Sequence, residues 1–125
     1  MLNRRATVHQ HLRAYPAEVQ VLASAARKAI RKWLPGVEER ADSSAPVIGY
    51  GYGPGYRGLV CTLILSKSGV KLGLVRGSEL ADPHGLLAGA GKVHRHIVLQ
   101  GVSDLRKPGV SQLVKAAHTA WKSRK

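Results

Sequence analysis

Phenylalanine is absent from this 125-residue chain, cysteine occurs once, and acidic residues number only seven. Each scarcity excludes something. A lone Cys61 cannot build an intramolecular disulfide framework, and a solitary thiol fits a reducing compartment. It stands in the run Leu59-Val60-Cys61-Thr62-Leu63-Ile64-Leu65, where a buried, inert thiol is expected rather than a nucleophile. That run is the longest apolar one and falls far short of the roughly 20 residues that cross a bilayer. Met1-Leu2-Asn3-Arg4-Arg5 carries charge with no apolar segment behind it, so no secretory signal is expected and the chain is read as cytoplasmic.

Catalytic signatures are equally scarce. Among the acids only Glu38 and Glu39 are adjacent, and successive strand residues face opposite ways, which separates them as an acid/base pair. Ser43, His96 and Asp42 can be assembled into a triad on paper, but nothing marks a strained nucleophile elbow. Gly91-Lys92 fails as the end of a phosphate-binding P-loop, because Leu86 stands where the first glycine belongs and Val93 replaces the Ser or Thr. No enzymatic activity and no cofactor are expected.

What the chain has in quantity is positive charge. Twenty Lys and Arg against seven acids give +13, a field that attracts nucleic acid or another anionic ligand. A protein kept soluble by charge is the plainer alternative. The basic residues are spread along the chain, with local clusters only at Arg4-Arg5, Arg27-Lys28 with Arg31-Lys32, and Lys122-Ser123-Arg124-Lys125.

The length suits one domain over 1–125 with its core at about 13–121, and the pattern reads helix, antiparallel sheet, helix. Residues 16–34 form the main first helix: Pro16 suits a first turn, and Val19, Leu22, Ala26, Ile30 and Trp33 make one apolar stripe. Pro35-Gly36 stops it. Thr7 to Arg13 forms a short lead-in turn or helix. Strands are expected at 37–41, 47–53, 59–66, 70–76 and 94–100, joined by turns too short for parallel crossovers. Residues 77–92 form a long loop with a turn at 84–87. The final helix starts near Pro108, with Val110, Leu113, Val114, Ala117 and Trp121 on its apolar face. The fold class is therefore α+β.

With those elements placed, four stretches carry a resemblance. They are Leu34-Pro35-Gly36-Val37-Glu38-Glu39, Ala45-Pro46-Val47-Ile48-Gly49-Tyr50, the segment from Leu72 through Arg76-Gly77-Ser78-Glu79-Leu80 to Asp82-Pro83, and Leu86 to Lys92 followed by Arg95-His96-Ile97. In this order, from about Arg13 to Trp121, the chain resembles the YdhG-like family of small bacterial domains of unknown function. The resemblance implies an α+β fold with a central antiparallel sheet flanked by helices. One branch of that family has been proposed to act as a frataxin-like intracellular iron chaperone. Iron delivery of that kind needs exposed carboxylates, which seven acids in a +13 chain supply poorly.

Three groups of candidate residues remain. Gly49, Gly51 and Gly53 alternate with Tyr50 and Tyr52, so one strand face is bare and the other carries tyrosines. These, with Tyr56 and Arg57 at the turn, form either a stacking platform beside positive charge or core packing with hydroxyls at the rim. Gly89, Gly91 and Lys92 with Arg95 form either a flexible anion-binding loop or a tight turn into the last strand. His94 and His96 share a strand face and, with Asp82 and His84, form the basis of a metal-carrier alternative. The leading expectation is a non-enzymatic binding domain whose contacts to an anion are Arg76, Lys92, Arg95, Tyr50, Tyr52 and Arg57. A scaffold that forms a homodimer through an exposed sheet edge is the third reading.

Overall fold

The computed structural model describes residues 4–42 and 44–124, with the backbone alone for 4–7. Ser43, the side chains of Arg4 and Arg5, and Lys125 lie outside the described residues. The fold is α+β: α1 (Arg4–Leu12) and α2 (Ala17–Trp33) precede a five-stranded antiparallel sheet, and α3 (Pro108–Ser123) follows it. The strands are β1 (Glu38–Ala41), β2 (Val47–Gly51), β3 (Leu59–Ser66), β4 (Gly69–Leu74) and β5 (Arg95–Leu99), and they lie side by side in chain order. The lead-in segment is thus a helix of nine residues. The second, fourth and last strands are shorter than expected: the second ends at Gly51, the fourth runs from Gly69 to Leu74, and the last from Arg95 to Leu99.

Alternation along the strands builds two unlike faces. Ile48, Tyr50, Cys61, Leu63, Leu65, Val70, Leu72, Leu74, Ile97 and Leu99 are buried under α2 and α3. Val47, Thr62, Ile64 and His96 on the other face are half-buried, while Lys71 and Val98 are exposed. The buried stripe of α2 is the one its spacing predicts, with one addition. Arg27 is only 6 % exposed.

Its partner explains why a guanidinium can be buried there. Glu38 and Glu39 do face opposite ways on β1, and Glu39 turns inward. Arg27 Nε and Nη2 donate to the two Glu39 oxygens at 2.9 and 2.8 Å, and the Tyr50 hydroxyl donates to Glu39 Oε2 at 2.5 Å. A bidentate ion pair with a third donor satisfies most of what burial would otherwise strand. Burial by itself would raise the Glu39 carboxyl, but the hydrogen bonds from Arg27 and Tyr50 outweigh it and hold the group below its ordinary value.

Cys61 is fully buried, and burial pushes its thiol up to about 12. A thiol reagent at mild pH should leave native protein unmodified and label it fully in denaturant, as thiolate is the reactive form. Rapid labelling of the native state would contradict this packing.

β5 is an edge strand whose outward backbone groups are taken at both ends. Ala88 exchanges N–H···O bonds with His96 at 2.7 and 3.1 Å, and Gln100 N–H donates to Asp104 at 2.8 Å. That leaves little ladder for an incoming strand at this edge. No helix among the described residues is long and apolar enough to cross a membrane.

Candidate functional site

The glycine alternation shapes the site by letting backbone pack on backbone. Gly51 lies against Gly58, close enough that a Cβ at Gly51 would run into the Gly58 carbonyl, 2.7 Å from its carbon and 2.9 Å from Leu59 Cα. The ladder shifts register between Tyr50 and Gly51, and Tyr52 N–H donates to Gly58 O at 2.9 Å. Gly53 and Gly55 have φ of +97° and +71°, values that cost glycine nothing. The chain therefore folds back on itself, and the short 3₁₀ turn Tyr56–Gly58 projects at the start of β3. Trp121 Nε1 donates to Arg57 O at 2.8 Å, tying this turn to α3.

A groove of about 630 Å³ lies beside the turn. Tyr56 and Arg57 line it from the β2–β3 loop, Arg76 from the end of β4, His94 from the approach to β5, and Trp121 and Arg124 from the end of α3. Three arginines thus line one groove, and no acid is among its lining residues. Glu79 pairs with Arg76 at 2.5 Å from outside that lining. The C-terminal end of α3 brings negative partial charge to the same place, which Lys122 and Arg124 offset.

Arg76 holds a left-handed conformation, φ +56° and ψ +34°, the one non-glycine residue with positive φ among those described. Its N–H donates to His94 Nδ1 at 3.0 Å. An Nδ1 that accepts carries no proton, so the neutral ring bears its proton on Nε2. Nε2 in turn is hydrogen-bonded to the Tyr56 hydroxyl. The chain Arg76 N–H, His94, Tyr56 fixes the phenol in place although Tyr56 is 61 % exposed.

A second hollow of about 270 Å³ adjoins this groove on the open sheet face. It shares Tyr56, Leu59, Val75 and His94 with it and adds Arg95 and His96. Arg95 Nη1 is enclosed and finds no hydrogen-bond partner among the described residues, a cost that an acceptor would remove. His96 is held below the ordinary histidine value by burial and by the charge of Lys71.

The expected contact residues divide. Arg57 and Arg76 line the groove, and Arg95 lines the adjoining hollow. Lys92 is exposed and lies outside both linings. Tyr50 cannot serve as a stacking face, because it is fully buried with its hydroxyl on Glu39. Tyr52 is also taken: its ring stacks on His118 at 4.7 Å and 13°, and its hydroxyl donates to Pro35 O at 3.0 Å. For these two tyrosines, packing is the role the structure shows.

The metal-carrier set does not converge. Asp82 accepts from Leu86 and Leu87 N–H, both at 2.9 Å, His84 packs beside Gly109, and His94 is committed to Arg76 and Tyr56. Among the described residues no group of three or more His, Cys, Asp or Glu could hold a metal ion. Gly89 packs against the His96 ring beside the Ala88 bridge, so its segment is tied to β5 as a turn.

Arg124, His94 and Tyr56 are among the groove residues that the anion set does not include. Arg124 reads in sequence as part of a basic tail. Only the end point of α3 shows where it goes. A larger hollow of about 810 Å³ lies at the opposite end of β3, between the start of α2, the β3–β4 turn and β5. It mixes Glu18 with Lys67 and Lys71 around valines and gathers no comparable set of cations.

Fold and groove define a two-layer α+β protein with an arginine-lined groove at one end of its sheet. Compared with known protein families, curated proteins and solved structures, the chain matches none.

Proposed function

We propose that this chain is a non-enzymatic binding protein that holds an anionic ligand in the groove between Tyr56, Arg57, Arg76, His94 and Arg124. The observation that carries this reading is that three arginines line one groove whose lining contains no acid. Even with Glu79 paired to Arg76, the lining carries an excess of positive charge, which attracts an anion and offers it charge-assisted hydrogen bonds. The resemblance to YdhG-like domains, which rests on sequence stretches alone, leaves the ligand open.

The conformation of Arg76 adds support. A left-handed arginine costs on the order of 1–2 kcal/mol that glycine would avoid, and such strain clusters where a side chain is needed. Arg76→Gly should therefore leave stability unchanged or raise it by about 1 kcal/mol, because glycine's extra unfolded-state entropy offsets part of the relief. Anion affinity should fall about tenfold or more, the worth of a charge-assisted contact. Calorimetric titration with inorganic pyrophosphate at low salt, beside urea unfolding, measures both. Absence of saturable binding by the wild type, or binding indifferent to loss of Arg57 and Arg76 together, would refute the reading.

A further inference from the structure

We infer that the groove takes a nucleoside phosphate, with the base against Tyr56 and the phosphate among the arginines; this rests on the anion-binding reading above. A bare inorganic anion would use the guanidiniums and leave the rest of the groove idle. The rest is distinctive. Tyr56 and Val93 are 61 % and 46 % exposed, two of the most exposed large apolar or aromatic side chains described, and both line this groove. Large side chains left open beside a cation cluster are the surfaces on which a flat, apolar-faced group gains most.

Tyr56 is also prepared for that role. Its hydroxyl is held by His94, which is held by the Arg76 N–H. The ring is thus positioned before a ligand arrives, which lowers the ordering cost of binding. His94 meets the phenol in a T-shaped arrangement, centroids 5.9 Å apart at 67°, and does not stack over it. Arg76 belongs to both halves of the site: its backbone N–H orients the aromatic pair and the residue lines the groove.

The volume, about 630 Å³, falls within the range of small-molecule sites. The adjoining hollow shares Tyr56 and His94 and continues across the open sheet face past Gly73 and His96, a path for a second nucleotide unit. A free nucleotide and a single strand present the same chemistry, a base carried beside a phosphate.

Matched probes test this. Pyrophosphate and adenosine diphosphate carry the same diphosphate group, and a short single-stranded oligoadenylate carries several base–phosphate units. Wild-type protein should bind adenosine diphosphate at least tenfold more tightly than pyrophosphate. Tyr56→Ala should erase that advantage, bringing the adenosine diphosphate affinity down to the pyrophosphate affinity of the same variant, a loss of at least about tenfold in the ratio of the two. Tyr56→Phe should keep most of the advantage. Tyr56 is exposed, so the melting temperatures of these variants should stay near wild type. Oligoadenylate binding with a salt slope of about −0.7 per phosphate engaged identifies the strand as the source. Preference for the mononucleotide identifies the free form. If pyrophosphate binds and adenosine diphosphate binds no better, the base-recognition inference fails while the anion reading stands. If no probe binds, both fail.

Discussion

Arg27→Met should destabilise the protein by about 3–5 kcal/mol, the cost of removing one partner from a buried ion pair. The variant leaves the Glu39 carboxylate enclosed beneath α2 with only the Tyr50 hydroxyl donating to it. Ordinary domains have about 5–15 kcal/mol in total, so the change should be plain in a urea transition read at unchanged m-value. Replacing the whole network tells a different story. Arg27→Met/Glu39→Met/Tyr50→Phe should recover most of the loss, because apolar groups of similar volume need no partners. If the triple variant is no more stable than the single one, the cost arises from packing around Arg27 and not from the stranded carboxylate.

The same network fixes a pH dependence. Glu39 is held below its ordinary value in the folded state, so its stabilising contribution is complete above the unfolded glutamate value of about 4.3. It is lost as pH falls through the lower folded value, since the unfolded chain then binds the proton more readily. Without Arg27, burial, the largest single influence on Glu39, is opposed only by the Tyr50 hydroxyl and the charge of Arg31, so the downward shift shrinks. Arg27→Met should therefore lose less stability than the wild type as pH falls through the acidic range. Unfolding free energies at several pH values for both proteins decide it.

The second large effect is expected at Gly51. An alanine there would drive its methyl group into the Gly58 backbone and Leu59 Cα, atoms that cannot rotate aside as a flexible side chain would. Overpacking of this kind costs about 3 kcal/mol. The consequence for function is larger than for the fold. The segment that must yield carries Tyr56 and Arg57, so the contact between Tyr56 and His94 is lost and the groove opens. Gly51→Ala should therefore abolish measurable pyrophosphate binding even where enough folded protein remains to titrate. Gly69→Ala is the control: nothing lies within 4 Å of its added carbon, and both stability and binding should match wild type. A Gly51→Ala protein with wild-type affinity would show that the close packing of this loop does not hold the groove together.

Much of the architecture was legible along the chain, because its signals are local. A continuous apolar run marks β3, alternation marks β4, and the spacing of Val19, Leu22, Ala26 and Ile30 marks the buried stripe of α2. Pro108 opens α3 where proline is best tolerated. Arg27 was missed for a definable reason. Among Lys28, Arg31 and Lys32 it reads as one more cation complementing a helix end. Yet it lies four residues after Ala23 and three before Ile30, on the buried stripe itself. The matching clue was Glu39, directly opposite Tyr50 in the ladder, with which it shares a sheet face.

The glycine alternation marks a bare strand face, but of the three tyrosines offered as a stacking platform only Tyr56 is left open, and Tyr50 and Tyr52 are taken by packing. Tyr50 and Tyr52 fall under the helices, while Tyr56, in the turn, stays outside. Alternation assigns a residue to one of two faces, and only helix placement decides which face is covered.

What the sequence by itself determined is therefore the scarcity of acids, the excess of positive charge, the α+β class and the identity of most core positions. All of these follow from composition or from contacts between near neighbours in the chain. The groove was decided by tertiary structure alone. Arg57, Arg76, His94 and Arg124 are separated by 18 residues or more, and no local pattern links them. They meet because the meander brings the start of β3, the end of β4 and the approach to β5 to one end of the sheet, where α3 also terminates. The charge that composition announced as a diffuse excess becomes, at that end, a place.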